Sequence, residues 1–406
     1  MHTSPIGKYK YILDEGLDSQ KRQKGSVDWA FTLSFFLIIL LSGCVQIYDI
    51  RVLVSVNIAV QMWLLFKVKF RLSRKLLIVI KIFSLYLVYS VVITGFNADL
   101  VYVIFRYYDF IAAFLLLNYF LIKRPDFNRT FSLIMWAFLV HGFLGFLFAN
   151  LFFDSFVSVD QADFEYIHTL FGVFFATDSL SLGFHRSQSL FWEPGVYQIY
   201  LNAFMFYVCF WKQKTAMVPI ILFAIVLTLS TTGLVLAVFQ MAIFLFKKLK
   251  LNLSGLIWFF ISIVFLVSFL QLTSNNLEDK ISGDNKGSSW ARQFDAINGI
   301  QVLLNNPLGI GFSPLKYQEI AKQNPYRIET LLITDRGQTN GLVELFYSTG
   351  FIFGFIFIYY LTKQRVFNRN QWVFNIVILV CMLSEPLVFS PFFFFFVMSG
   401  MAASKK

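Results

Sequence analysis

The chain has 406 residues, of which 57% are hydrophobic and 14% charged; soluble domains carry about 25% charged residues, and no water-soluble core absorbs this much apolar surface. A net charge of +11 would suggest nucleic acid if the basic residues shared one solvated face, but here they punctuate apolar stretches. Cys44, Cys209 and Cys381 lie far apart within apolar sequence, which excludes a disulfide framework or a zinc pattern and makes them small core residues.

A bilayer core of ~30 Å needs about 20 apolar residues per helix. Stretches near that length fall at 28–48, 52–66, 76–94, 100–122, 130–153, 196–211, 215–230, 232–246, 251–271, 340–361, 371–384 and 388–403. The expected fold is therefore an all-α polytopic membrane protein with about 12 transmembrane helices. Residues 1–27 are polar, without the apolar core of a signal peptide, and read as a cytoplasmic tail. Residues 28–406 read as a single membrane domain.

Orientation follows from the positive-inside bias. The tail carries Lys8, Lys10, Lys21, Arg22 and Lys24, the second connection Lys67, Lys69, Arg71, Arg74 and Lys75, and later even-numbered connections are also basic, down to Lys405 and Lys406. Both termini are expected in the cytoplasm. Two long connections, at about 154–195 and 272–339, then lie on the outer side. The second is expected to hold a helix over 290–304 with serines at its N-cap, ended by Asn306-Pro307-Leu308-Gly309-Ile310-Gly311, since Pro cannot continue a helix.

The segment from His185 to Gly195 stands before the sixth span and sets Arg186 seven residues from Glu193. A planar, permanently charged guanidinium suits bidentate phosphate binding, and a carboxylate beside it can take a proton from an attacking hydroxyl. The competing reading is a surface ion pair flanked by interfacial aromatics, Phe191 and Trp192. In the second outer connection Arg292 and Arg336 could converge on the same group, the competing reading being that the charge of this loop, seven basic and seven acidic residues, is solvated surface. Within the fourth span Arg106 and Asp109 share a helical face, as an ion pair that fixes packing or as part of a site. His141 and Gln240 read as helix-to-helix hydrogen bonds. No Walker loop, paired-histidine metal motif or Gly-x-Ser-x-Gly elbow is present, so no cofactor is implied and no metal ligands are assigned.

Three blocks resemble the O-antigen polymerase (Wzy) and O-antigen ligase superfamily. Arg186 to Gly195 is similar to its Arg, aromatic, Glu-Pro pattern before a span. Arg292 through Asn306-Pro307-Leu308-Gly309-Ile310-Gly311-Phe312 is similar to its Arg, helix, Asn-Pro-Leu-Gly-x-Gly-Phe block. Asn340-Gly341-Leu342, Leu345 and Gly350 resemble the opening of the next span. The resemblance implies a GT-C-like glycosyltransferase in the bacterial inner membrane, acting on undecaprenyl-diphosphate-linked oligosaccharide with a possible chain-length regulator as partner. By position, Arg186 and Arg292 become diphosphate binders and Glu193 a base or acceptor-orienting group, so these three are the catalytic candidates. His185, Arg336, Asn340, Arg106 and Asp109 are the substrate-binding candidates. The expected activity is metal-independent, with arginines supplying the electrostatics. Ligases commonly carry a His before the Asn that opens the later span, and here that position is Thr339. A polymerase, which extends a lipid-linked repeat unit, is therefore favoured over a ligase that transfers glycan to lipid A-core. A flippase or secondary transporter is the reading from another class, and the absence of matching halves weighs against it.

Overall fold

The computed structural model describes residues 27–45, 50–94, 100–160, 166–177, 180–181, 183–248, 271, 286–322 and 339–403. The helices are α1 (Trp29–Leu41), α2 (Ile50–Lys67), α3 (Leu77–Thr94), α4 (Leu100–Lys123), α5 (Phe127–Leu151), α6 (Pro194–Phe206), α7 (Val218–Leu227), α8 (Thr231–Lys248), α9 (Lys286–Asn305), α10 (Pro314–Lys322), α11 (Gly341–Thr362), α12 (Gln371–Ser384) and α13 (Pro391–Ala403). Every expected span except 251–271, which lies outside the described residues, is helical. Four of these helices, α2, α4, α5 and α11, are long and apolar enough to cross a membrane by length and composition, and six more are apolar but shorter.

Helices α6 and α13 are buried on all faces, α13 through the run Phe392 to Met398. A helix apolar all round belongs at the centre of its bundle. Helix α13 packs on α4 and α11, while α6 packs on α7, α8 and α12. Aromatic rings fill the space between them, including Phe367 against Phe374 at 4.9 Å and Phe374 against Phe396 at 5.0 Å. Gln240 of α8 donates to the Asn202 side chain of α6 at 2.9 Å, the helix-to-helix bond its position suggested.

The chain is not all-α. The first long connection holds a three-stranded antiparallel sheet of β1 (Val157–Asp160), β2 (Tyr166–Leu170) and β3 (Phe174–Thr177), with β2 central, and a small pair, β4 (Leu180–Ser181) and β5 (Phe184–His185). The alternation of β-branched and aromatic residues, with Ile167 and Phe175 turned into a buried cluster with Val45, makes these strands. The helix expected over 290–304 runs from Lys286 to Asn305, so Ser288 and Ser289 lie within its first turn instead of capping it. Cys44 sits just beyond α1, in an isolated bridge with Phe191, whereas Cys209 and Cys381 are buried core residues.

The Asn306–Phe312 block does more than end α9. It interleaves with a break in α11, where Gly350 has φ 72° and ψ 172°. Ile310 N–H donates to the Tyr347 carbonyl at 2.8 Å, Gly311 N–H to that of Ser348 at 3.0 Å, and Phe351 N–H to that of Pro307 at 3.0 Å. The backbone groups freed by the break thus find partners in the block, which irregular backbone within an apolar bundle requires. A Cβ on Gly350 would overlap the backbone of Leu308, so the two segments touch at main-chain distance.

Candidate functional site

The sheet-bearing end of the bundle is where six helices stop together. Phe392 N–H at the start of α13 donates to Ser42 Oγ just past α1, at 3.1 Å. Ser187 N–H donates to the Leu227 carbonyl that ends α7, at 2.9 Å. The remaining ends are those of α6, α8 and α12. Helix α5 continues past this level. Ser187 Oγ donates to the Gly142 carbonyl at 2.8 Å and Tyr197 Oη to the Phe138 carbonyl at 2.9 Å, and Gly142 lies nine residues before the end of α5, about 13 Å at 1.5 Å per residue. The segment from Arg186 to Gly195 therefore descends along α5 to a recessed floor, deeper than a rim position.

On that floor Phe191 is fully buried, stacked on Tyr200 at 4.6 Å, so it is core and not an interfacial aromatic. Glu193 stands at the N-cap of α6, and Pro194 opens the helix in the position where a missing N–H costs nothing. Two residues on, Gly195 is where a second carboxylate arrives. Glu385, 2% exposed in the turn between α12 and α13, reaches so close that a Cβ at position 195 would overlap its Oε1, while the same Cβ would lie 3.6 Å from Cδ of Glu193. Only glycine permits this approach. The Glu385 backbone carbonyl in turn would lie 2.5 Å from a Cβ on Gly341, which sets the turn carrying Glu385 against the head of α11.

Arg186 enters from the same segment. Its Nε donates to the Thr228 carbonyl at 2.9 Å, which fixes the plane of the guanidinium at the turn between α7 and α8. Asn340 caps α11, its Oδ1 accepting from Val343 N–H at 3.0 Å. Thr339 donates to Asp295 of α9 from both its backbone N–H, at 3.1 Å, and its hydroxyl, at 2.8 Å. The residue where a ligase-type His would stand thus ties α9 to α11. Burial holds the Asp295 carboxyl above its usual range, and the bonds from Thr339 oppose that shift. Arg292 lies on α9 one turn before Asp295, with its side chain outside the described part of the structure, and Arg336 lies outside the described residues.

Arg106 and Asp109 of α4 form an ion pair at 3.9 Å, and Arg106 Nη2 also meets Glu344 of α11 at 3.4 Å. The guanidinium lies 5.4 Å from the ring of Phe389, in the same turn as Glu385, so this cluster borders the carboxylate pair from the far side. His185 is turned elsewhere. Its Nδ1 lies 3.1 Å from the Thr177 carbonyl, its backbone N–H donates to Asn150 Oδ1 at 2.8 Å and its ring stacks on Phe153 at 3.9 Å, all within the sheet region. Among the described residues no group of three or more His, Cys, Asp or Glu is arranged to hold a metal ion.

Sequence reasoning did not single out Glu344 or Glu385. A signal for Glu344 existed, because a carboxylate one turn inside an apolar span needs a partner. Glu385, in a Ser-Glu-Pro turn, gives none, since only the tertiary approach to Gly195 distinguishes it.

The bundle defines a multi-pass helical membrane protein with a cluster of buried polar and charged side chains where several helices end. Residues 216–359, about a third of the chain, match the family model described as O-antigen ligase. Over that stretch the chain is similar to O-antigen ligases, which supports the O-antigen ligase and polymerase superfamily. The matched stretch contains Arg292, Thr339, Asn340 and Glu344, whereas Arg186, Glu193 and Glu385 lie outside it. No curated protein and no solved structure matches the chain.

Proposed function

We propose that the protein is an oligosaccharide repeat-unit polymerase of the bacterial inner membrane, with both termini in the cytoplasm and the recess on the outer side. It transfers a growing glycan from undecaprenyl diphosphate to the non-reducing end of a lipid-linked repeat unit. The observation that carries this reading is the meeting of Glu193 and Glu385 at Gly195, with Arg186 in the same segment and the head of α11 beside them. In the transfer, the acceptor hydroxyl oxygen attacks the anomeric carbon and the bond from that carbon to the phosphate oxygen breaks. The hydroxyl proton passes to a carboxylate of the pair, and the diphosphate leaves with the bonding electrons. Arg186 and Arg292 stabilise the departing anion, a role arginines fill without a metal. Asn340 contributes by holding the start of α11, and Arg106, Asp109 and Glu344 by fixing α4 to it.

A second reading, transfer of glycan to lipid A-core, is favoured by the description of the matched family model and opposed by Thr339 at the position of the ligase-type His. The test is a gene deletion complemented with wild type, R186A, R292A or E193Q, with glycan length read on gels. The polymerase reading expects single repeat units still capped on lipid A-core in the deletion strain and in the variants. Long polymer in every strain would refute it, and loss of all capping would favour the ligase.

A further inference from the structure

The β2–β3 hairpin lies in an unusual place for a sheet. Strand β3 packs lengthwise on α5: a Cβ on Gly145 would lie 3.6 Å from the Phe174 ring, Phe174 meets Phe148 with ring centres 4.8 Å apart, and Ala176 joins Ala149 and Phe156 in a buried cluster. The turn at the tip, Phe171 to Val173, reaches His141. The carbonyl of Val173 lies 3.1 Å from His141 Nε2, and since that oxygen can only accept, Nε2 donates; the imidazole also stacks on Phe174. His141 is ten residues before Leu151, so the tip lies about 15 Å down the helix from its end.

The sequence of α5 indicates how that depth relates to a bilayer. Between Arg129 and Asp154 the chain has no Asp, Glu, Lys or Arg. Such a run is long enough to span the ~30 Å bilayer core; with the run centred on the bilayer, Leu151 and Phe152 fall at its boundary and His141 near mid-depth. Leu133, Val140, Leu144 and Leu151 form an exposed apolar stripe on the face of α5 beside the one that holds the hairpin, and at the tip Phe171 is 87% exposed. One exposed aromatic is ordinary by itself, but beside that stripe Phe171 adds to an exposed apolar surface of the kind that marks a contact site. Within lipid the ring is at home, but the turn's backbone must then be hydrogen-bonded and shielded by protein, here by α5. Val173 meets the first condition on both sides: its N–H donates to the Leu170 carbonyl at 3.2 Å, and His141 serves its carbonyl.

We propose that the β2–β3 hairpin is a re-entrant membrane insertion whose tip, Phe171 with Val173, contacts lipid acyl chains beside α5. This inference stands on geometry and is independent of the proposed reaction. It gives His141 a role that differs from the expected helix-to-helix bond. Its second nitrogen, Nδ1, lies 3.1 Å from the Ser189 hydroxyl, so one ring pins both the inserted hairpin and the descending segment between Arg186 and Glu193.

The test is nitroxide labelling of the full-length protein in phosphatidylcholine–phosphatidylglycerol vesicles, at F171C, with L144C as the lipid reference, S155C as the aqueous reference and labelled wild type as background. The ratio of oxygen to nickel-chelate collision at F171C is expected to match L144C and to exceed S155C several-fold. A ratio like that of S155C would overturn the insertion. A label shielded from both reagents would overturn lipid as the occupant in favour of a second copy of the chain. Should F171C fail to fold, V173C reads the same depth with the same outcomes.

Discussion

Replacing Gly195 by Ala inserts a methyl group where the Glu385 carboxylate lies, 3.6 Å from Cδ of Glu193. Non-bonded heavy atoms settle near 3.5 Å, so the carboxylate must retreat by on the order of 1 Å. It is the end of a flexible side chain, and the overpacking costs only about 1–2 kcal/mol of stability. The reaction is more sensitive: a displacement of ~1 Å in a positioned group lowers turnover about 100-fold, or about 2.7 kcal/mol on the barrier. We expect G195A in a deletion strain to give short glycans while the purified protein keeps a cooperative melt only slightly below wild type. Turnover on lipid-linked repeat units should fall to a similar level in E385Q. The double variant G195A/E385Q should be little worse than either single change, because both act through one carboxylate. Full-length glycan and turnover within twofold of wild type in G195A would refute the claim that the pair at Gly195 carries the chemistry.

Three further outcomes follow from the packing. R106M leaves Asp109 and Glu344 facing each other without their shared cation, and breaking such a pair costs about 3 kcal/mol; melting in lipid nanodiscs should show the loss, and R106M/D109N/E344Q should recover most of it. G350A forces a side chain into a backbone region reserved for glycine and onto the Leu308 backbone, so it should cost ~3 kcal/mol or more, seen as poor yield of folded protein and a lowered Tm. For Asp295, burial raises the folded carboxyl above its unfolded value, so the folded state binds its proton more tightly. Its stabilising contribution is then complete below the unfolded value and declines as pH rises through the folded one. As pH rises above the unfolded carboxyl value, D295N should flatten the fall in Tm that wild type shows, and identical slopes in the two proteins would exclude this origin.

Most of the helical plan was legible because apolar run length and basic punctuation are properties of the solvent, not of tertiary contacts. The strands were hidden for the same reason. In a segment such as Tyr166–Leu170 to Phe174–Thr177 every face is apolar or weakly polar, so a period of two does not stand out against membrane sequence. Helices α7 and α12 are apolar, as their hydropathy suggested, but short, and α7 ends at Leu227, whose carbonyl accepts from Ser187 N–H. At the site, Arg186 and Glu193 were visible as opposite charges flanking a span. The approach of Glu385 was not, because it depends on Gly195 and on the turn between α12 and α13 meeting across the bundle. Conversely, Arg106 with Asp109 was visible as a pair, and Glu344 completes it from another helix.

The clasp between the Asn306–Phe312 block and the break in α11 constrains the order of assembly. When the ribosome has released only the block, the amides of Ile310 and Gly311 have no acceptors, because Tyr347 and Ser348 are still to be made. The later span, if it inserted alone, would leave the Pro307-directed amide of Phe351 bare in hydrocarbon. The block can rest on water until its acceptors are made but the broken span cannot, so the two halves of the clasp close as one cooperative unit, late in synthesis. Arg292, carried on the helix that runs into the block, is withheld from its place until that step is complete.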